Sequence, residues 1–243
     1  MNATNTWRAL LLAYRRIDIR FGTGWFRRRR FAHELSEREL DDALNSFGAF
    51  PALAKELSDG EATVTPKIVI VEEPLRSVTP TGEGMFWPSP TDTRKQLEKY
   101  APPGEFDSLF VLWASTNLQT GKDVPCPGWG LGSGPRDGTH GATYAIVGNA
   151  ASWAWRIPIV GEVWLHEWLH GVCQIFAERD FAMPKYDADG GGSHGYMQSE
   201  TTGWTSFYHD LMTGQVLENG EPKGITAKAW RSRNVAGTID IAK

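Results

Sequence analysis

A chain of 243 residues that is 41% hydrophobic and 22% charged can bury one sizeable core and has an ordinary globular composition. Its net charge of −4 gives no reason to expect nucleic acid as a partner, and the basic run Arg27 to Arg30 reads as a solvated turn. No stretch approaches 18 consecutive apolar residues, so no membrane span is expected.

Leu10-Leu11-Leu12 is too short for the core of a signal peptide and runs into Tyr14-Arg15-Arg16. The compartment stays open: secreted or extracytoplasmic if a leader was trimmed, cytoplasmic otherwise. The two cysteines, Cys126 and Cys173, make no disulfide framework, though a bridge between them is left open.

In chain order, Trp7 to Phe21 is predicted as a strand that ends in the alternation Ile17/Ile19/Phe21. A loop with the arginine run follows. Ser36 to Leu57 is predicted helical, with Ser36 and Glu39 as a capping box and Leu40, Leu44 and Phe47 at helical spacing. Gly48 and Pro51 are expected to break it, leaving a second short helix up to Leu57. Ala62 to Glu72 is a second strand. Thr79 to Pro90 reads as a loop carrying Phe86 and Trp87, and Thr91 to Tyr100 as a short helix. Phe106 to Ser115 is a central strand. Thr116 to Gly138 is a long glycine-rich loop, and loops of that length are commonly functional. Thr139 to Val147 is a fourth strand.

The stretch Gly161 to Phe176, GEVWLHEWLHGVCQIF, is apolar nearly all round and is predicted as a buried helix. One polar stripe interrupts it: His166, Glu167, His170 and Gln174. Residues four apart on a helix lie one above the other, so His166 and His170 can aim two imidazole nitrogens at one metal ion. Glu167 sits beside that point, where a carboxylate can take a proton from water. Buried ionisable groups need a common partner, and a divalent cation supplies one. Gly171 permits close approach of another segment. Beyond Asp180 the chain becomes irregular through Met183 to Gly195; Gln198 to Met212 is predicted helical, and the tail from Gly214 irregular with a turn near Ala227 to Trp230. The element order argues for an α+β fold split by a cleft.

His166-Glu167-Trp168-Leu169-His170, preceded by a strand and followed by an irregular part with one further helix, resembles the zincin-type metallopeptidases. That resemblance implies a single catalytic domain over residues 1–243. Its N-terminal lobe, about 1–178, would hold a twisted mixed sheet, helices and the metal helix. Its loop-rich C-terminal lobe, about 179–243, would hold one further helix and supply the third ligand. The metzincin extension would put Gly at 173 and His at 176, where this chain has Cys173 and Phe176. Glu200 lacks the Asn of the thermolysin-like motif, and Asp180, Asp187 and Asp189 lie outside any deuterolysin-like run. No subfamily is assigned.

Catalytic zinc takes three protein ligands and leaves one position open. His194, in the run Gly190 to Gly195, is the preferred third ligand beside His166 and His170. Glu200 is the next choice, then Asp187 or Asp189, which could instead orient a ligand histidine. His209 is expected to face out, and His140 to touch substrate at most. Tyr196 is a candidate oxyanion donor. The expected activity is hydrolysis of peptide or protein substrates by zinc-activated water, with Glu167 as general base and Thr139 to Val147 as the strand on which substrate would lie. A zinc hydrolase of non-peptide substrates and a non-catalytic zinc-stabilised binding module are the alternatives.

Overall fold

The computed structural model describes residues 6–22, 29–82, 84–126, 128–149 and 159–232. Its strands are β1 (Thr6–Tyr14), β2 (Arg16–Phe21), β3 (Arg29–Glu34), β4 (Thr63–Val71), β5 (Thr79–Gly82), β6 (Met85–Trp87), β7 (Ser108–Trp113), β8 (Thr116–Asn117), β9 (Lys122–Asp123), β10 (Gly130–Ser133), β11 (Thr143–Gly148), β12 (Val216–Glu218) and β13 (Glu221–Lys223). Its helices are α1 (Glu37–Leu57), α2 (Arg94–Tyr100), α3 (Glu162–Ala177), α4 (Thr205–Thr213) and α5 (Ala227–Ser232). Single helical turns at Asp187–Asp189 and Gly192–His194 lie between α3 and α4.

The fold is mixed α+β. Five strands form one sheet in the order β10-β11-β7-β1-β4. β4, β1, β7 and β11 run parallel, and β10 joins β11 antiparallel at one edge. Every residue of β7 and β11 is buried, as expected of parallel strands covered on both faces. α1 and α3 cover one face. There Phe110 of β7 meets Phe47, Phe50 and Trp164, and Trp7 of β1 meets Trp168, Phe176 and Trp230. α2 and the β5–β6 hairpin cover the other, where Tyr144 packs against Trp87 and its hydroxyl lies 3.0 Å from that of Thr93. Trp230 of α5 stacks on Trp168, so the C-terminal segment shares the same core.

α3 is buried as its composition predicts: Trp164, Leu165, Trp168, Leu169, Val172 and Phe176 are fully enclosed. The Trp168 indole N–H donates to Ser108 Oγ at 2.9 Å and ties the helix to the start of β7.

Several expectations are corrected, among them the loop expected from Thr79 to Pro90, which holds the β5–β6 hairpin. The strand predicted over Trp7 to Phe21 is two strands, because β2 leaves the main sheet after Arg15 to pair with β3. Helix α1 does not break at Gly48 or Pro51. An interior proline costs about 3 kcal/mol. Four ring pairs flanking it, Phe47 and Phe50 on Phe110, Phe47 on Trp164 and Phe50 on Trp168, offset this at about 0.5–1.5 kcal/mol each. The long loop from Thr116 to Gly138 contains the β8–β9 pair and the edge strand β10. The supposed rim strand begins only at Thr143 and is internal, with β7 on one side and β10 on the other.

Helix α4 begins at Thr205 rather than near Gln198, after a turn closed by Ser199 and Gly203. The tail also carries the β12–β13 hairpin. Cys126 and Cys173 are free thiols. Burial pushes the Cys126 thiol up to about 11 and that of Cys173 well above its ordinary range. No helix of the described residues is long and apolar enough to cross a membrane.

Candidate metal centre

One face of α3 carries His166, Glu167 and His170, and their rings and carboxylate converge at the edge of the sheet. His166 Nε2 and His170 Nε2 are 3.3 Å apart. The turn Asp187–Asp189 brings in a carboxylate: Asp189 lies 3.4 Å from His166 Nε2 and 3.8 Å from His170 Nε2. Among the described residues, His166, His170 and Asp189 form the group that could hold a metal ion. A tetrahedral ion with bonds of about 2.0–2.2 Å sets its ligand atoms about 3.3–3.6 Å apart. The His166–His170 and His166–Asp189 separations fall in that range, while the 3.8 Å to His170 is measured from the other Asp189 oxygen.

Proton bookkeeping points the same way. His170 Nδ1 lies 2.6 Å from Asp187 Oδ1, a carboxylate that only accepts, so the ring proton belongs on Nδ1 and Nε2 carries a lone pair. His166 Nδ1 lies 2.8 Å from the Tyr208 hydroxyl, which can accept in the same way. When both rings carry their proton on Nδ1, two Nε2 lone pairs and a carboxylate face one another. A cation satisfies all three.

The electrostatics follow from burial. The Glu167 carboxyl is pushed up by desolvation, and the neighbouring His166 and His170 pull it partly back. Burial opposes charging His170, but the bond from Asp187 and the surrounding carboxylates outweigh it and raise its pKa. The side-chain contact with His166 Nε2 at 3.4 Å, and then the charge of the two histidines, hold Asp189 below the usual carboxylate range. Burial raises Tyr208 far above an ordinary phenol, so it stays protonated and can hold its hydrogen bond.

Edge strand β10 lies directly on this helix because it shows α3 no side chains. Gly130, Gly132 and Gly134 alternate at the strand period of two. A Cβ at Gly130 would stand 2.5 Å from a Glu167 carboxylate oxygen. One at Gly132 would run into the Glu167 carbonyl and come within 2.9 Å of His170 Cβ. One at Gly134 would stand 2.6 Å from the Gln174 side chain. Gln174, the last member of the polar stripe, accepts from Gly134 N–H at 2.8 Å and clamps the strand to the helix. The expected close approach at Gly171 is present too, against the Ser133 carbonyl and Thr143.

The other predicted residues lie elsewhere. His194 is not brought to the group: its Nε2 is 3.0 Å from the Lys185 carbonyl, and its turn faces β12 through Glu218. Tyr196 donates to Asp210 Oδ2 at 2.6 Å and packs on Phe207, and no hydrogen bond joins it to the three ligand candidates. Glu200 is exposed in the turn before α4. Asp180 is exposed in the turn that ends α3, and His140 is exposed before β11. His209 faces Asp59 and Asp210. Asp187 takes the orienting role rather than that of a ligand. The sequence reading places Asp189 behind His194 and gives Tyr208 no role at the site. The sequence signals for these were two aspartates two apart in a tight turn and a phenol on the core-facing side of α4.

No model of a known protein family matches the chain, and no curated protein is significantly similar to it.

Proposed function

We propose that this protein is a zinc-dependent hydrolase of peptide bonds in which Glu167 is the general base. The observation that carries the proposal is the meeting of two Nε2 atoms and the Asp189 carboxylate beside a buried Glu167. Two imidazoles and a carboxylate are a donor set that suits zinc, and three protein donors leave a position for water or substrate. His166, His170 and Asp189 would hold the ion, which would acidify a water molecule and polarise a carbonyl. Among the described residues no fourth protein donor joins the group, whereas a structural, closed zinc site would need one.

The chain's own residues divide the remaining work. Glu167 is 5% exposed, and its carboxylate, raised by burial, can take a proton from the attacking water and return it to the leaving amine. Asp187 holds the His170 ring in the tautomer that leaves Nε2 free, and Tyr208 orients the His166 ring. β10 pairs with β11 on one side only. Its other edge, running past Glu167, offers main-chain groups to an extended peptide, which moves the substrate-binding role from β11 to β10. An extended chain laid there is what favours peptides as substrates.

The test is elemental analysis of the purified protein, followed by digestion of a peptide library with and without a chelator. Zinc close to one per chain, chelator-sensitive cleavage, and loss of cleavage with retained zinc in Glu167→Gln are expected. Cleavage undiminished in Glu167→Gln, or unaffected by removal of the metal, overturns the proposal.

A further inference from the structure

Glu162 stands in the first turn of α3, one turn before His166, and is 7% exposed. It was not part of the polar stripe read from the sequence. A buried carboxylate has to be satisfied. Its Oε1 accepts the main-chain N–H of Trp204 at 2.6 Å, and the main-chain N–H of Ile159 also reaches it. Trp204 immediately precedes α4, whose first residue has no side-chain cap. Glu162 therefore caps α4 from a different helix, and a carboxylate is favoured at that positive end.

The approach requires glycine. Gly203 sits at φ +57, and a Cβ there would come within 2.5 Å of Glu162 Oε1. Gly203 is fixed in turn by two main-chain bonds with Ser199, at 2.9 and 3.0 Å.

Two ties then join α3 to α4, each one helical turn from the other on both helices. Glu162 meets Trp204 N–H, and four residues further along each chain His166 Nδ1 meets the Tyr208 hydroxyl. Tyr208 is itself bonded back to the Trp204 carbonyl at 3.0 Å, so the height of the phenol above the imidazole follows from where Trp204 is held. We propose that Glu162 is a positioning residue for the metal centre: by capping α4 it sets the Tyr208 hydroxyl against His166 and so fixes the aim of that ring. The proposal rests on the reading of His166 as a metal ligand.

The experiment measures cobalt(II) affinity of the metal-stripped full chain by visible absorption and by competition with a chromophoric chelator. The proteins compared are the parent, Glu162→Ala, Tyr208→Phe and the double variant, with thermal melts run alongside. Loss of a group that orients a ligand weakens metal binding about 10- to 100-fold. Both single variants are expected to fall in that range. The double variant is expected to bind no more weakly than the worse single, because Glu162 acts through Tyr208. Parent-like affinity in Glu162→Ala, or losses that multiply in the double variant, overturns the proposal. If Glu162→Ala does not fold, Gly203→Ala takes its place in the cycle, since its added methyl displaces the same carboxylate from the other side. Cobalt failing to bind the parent is a separate result, and it overturns the metal reading itself.

Discussion

Asp187 Oδ1 lies 2.6 Å from His170 Nδ1, across the ring from the Nε2 that faces His166. On the proposed metal reading the two aspartates of one short turn do different jobs: Asp187 orients an imidazole and Asp189 would be a ligand. Asp187→Asn keeps an acceptor but loses the charge, and zinc affinity is expected to fall about tenfold. Asp189→Ala removes a donor outright and should cost more. Chelator competition on both variants checks the order; Asp189→Ala binding zinc like the parent would remove Asp189 from the ligand set.

Gly132→Ala would drive a methyl into the Glu167 carbonyl and the His170 side chain. Backbone at that contact has nowhere to go without separating β10 from α3. A loss of stability of about 1–3 kcal/mol is expected in urea melts, as for overpacked cores. Metal affinity should fall with it, because the same displacement moves His170.

Gly48 gives the opposite sign. It lies exposed in the middle of α1, with nothing within 4 Å of where a Cβ would stand. Gly48→Ala should raise stability by about 0.5–1 kcal/mol through helix propensity alone. A drop in the urea midpoint would show that α1 is not continuous through this position.

Burial and then the bond to Asp210 push the Tyr196 phenol up to about 12. An unfolded tyrosine titrates near about pH 10. The folded state therefore binds the proton more tightly than the unfolded one between these values. Its stabilising contribution is complete below about pH 10 and is lost as pH rises through about 12. Melting temperature should fall more steeply over that interval in the parent than in Tyr196→Phe; equal slopes would mean that the phenol does not feel Asp210.

Much of this was legible in the sequence, for reasons that can be located. α3 declared itself because burial all round and a polar stripe at helical spacing are both local patterns, and His166, Glu167 and His170 lie within them. β7 showed as a run of large apolar residues. What was missed depends on contacts distant in the chain. Pro51 read as a helix breaker because its cost is local, whereas the ring pairs that offset it come from β7 and α3. Asp189 and His194 sit in the same glycine-rich segment with similar credentials. Only the path of that segment past α3 brings Asp189 to the imidazoles and turns His194 towards Lys185. Glu162 is tied to Trp204, and Tyr208 to His166, each across 42 residues of sequence, a separation over which spacing says nothing. β10 escaped notice because alternate glycines look like loop composition, although their period of two is that of a strand.

The bare underside of β10 has a consequence for how selectivity could be altered, by drift or by design. A Cβ at Gly130 or Gly132 would strike main chain, of Ile146 and Glu167 respectively, so on the proposed reading the strand is closed at these positions as a source of new ligand preference. On the same reading, variation in what the site accepts falls to segments outside this seam, such as the turn that carries Asp187 and Asp189, while the seam between strand and helix is handed down unchanged.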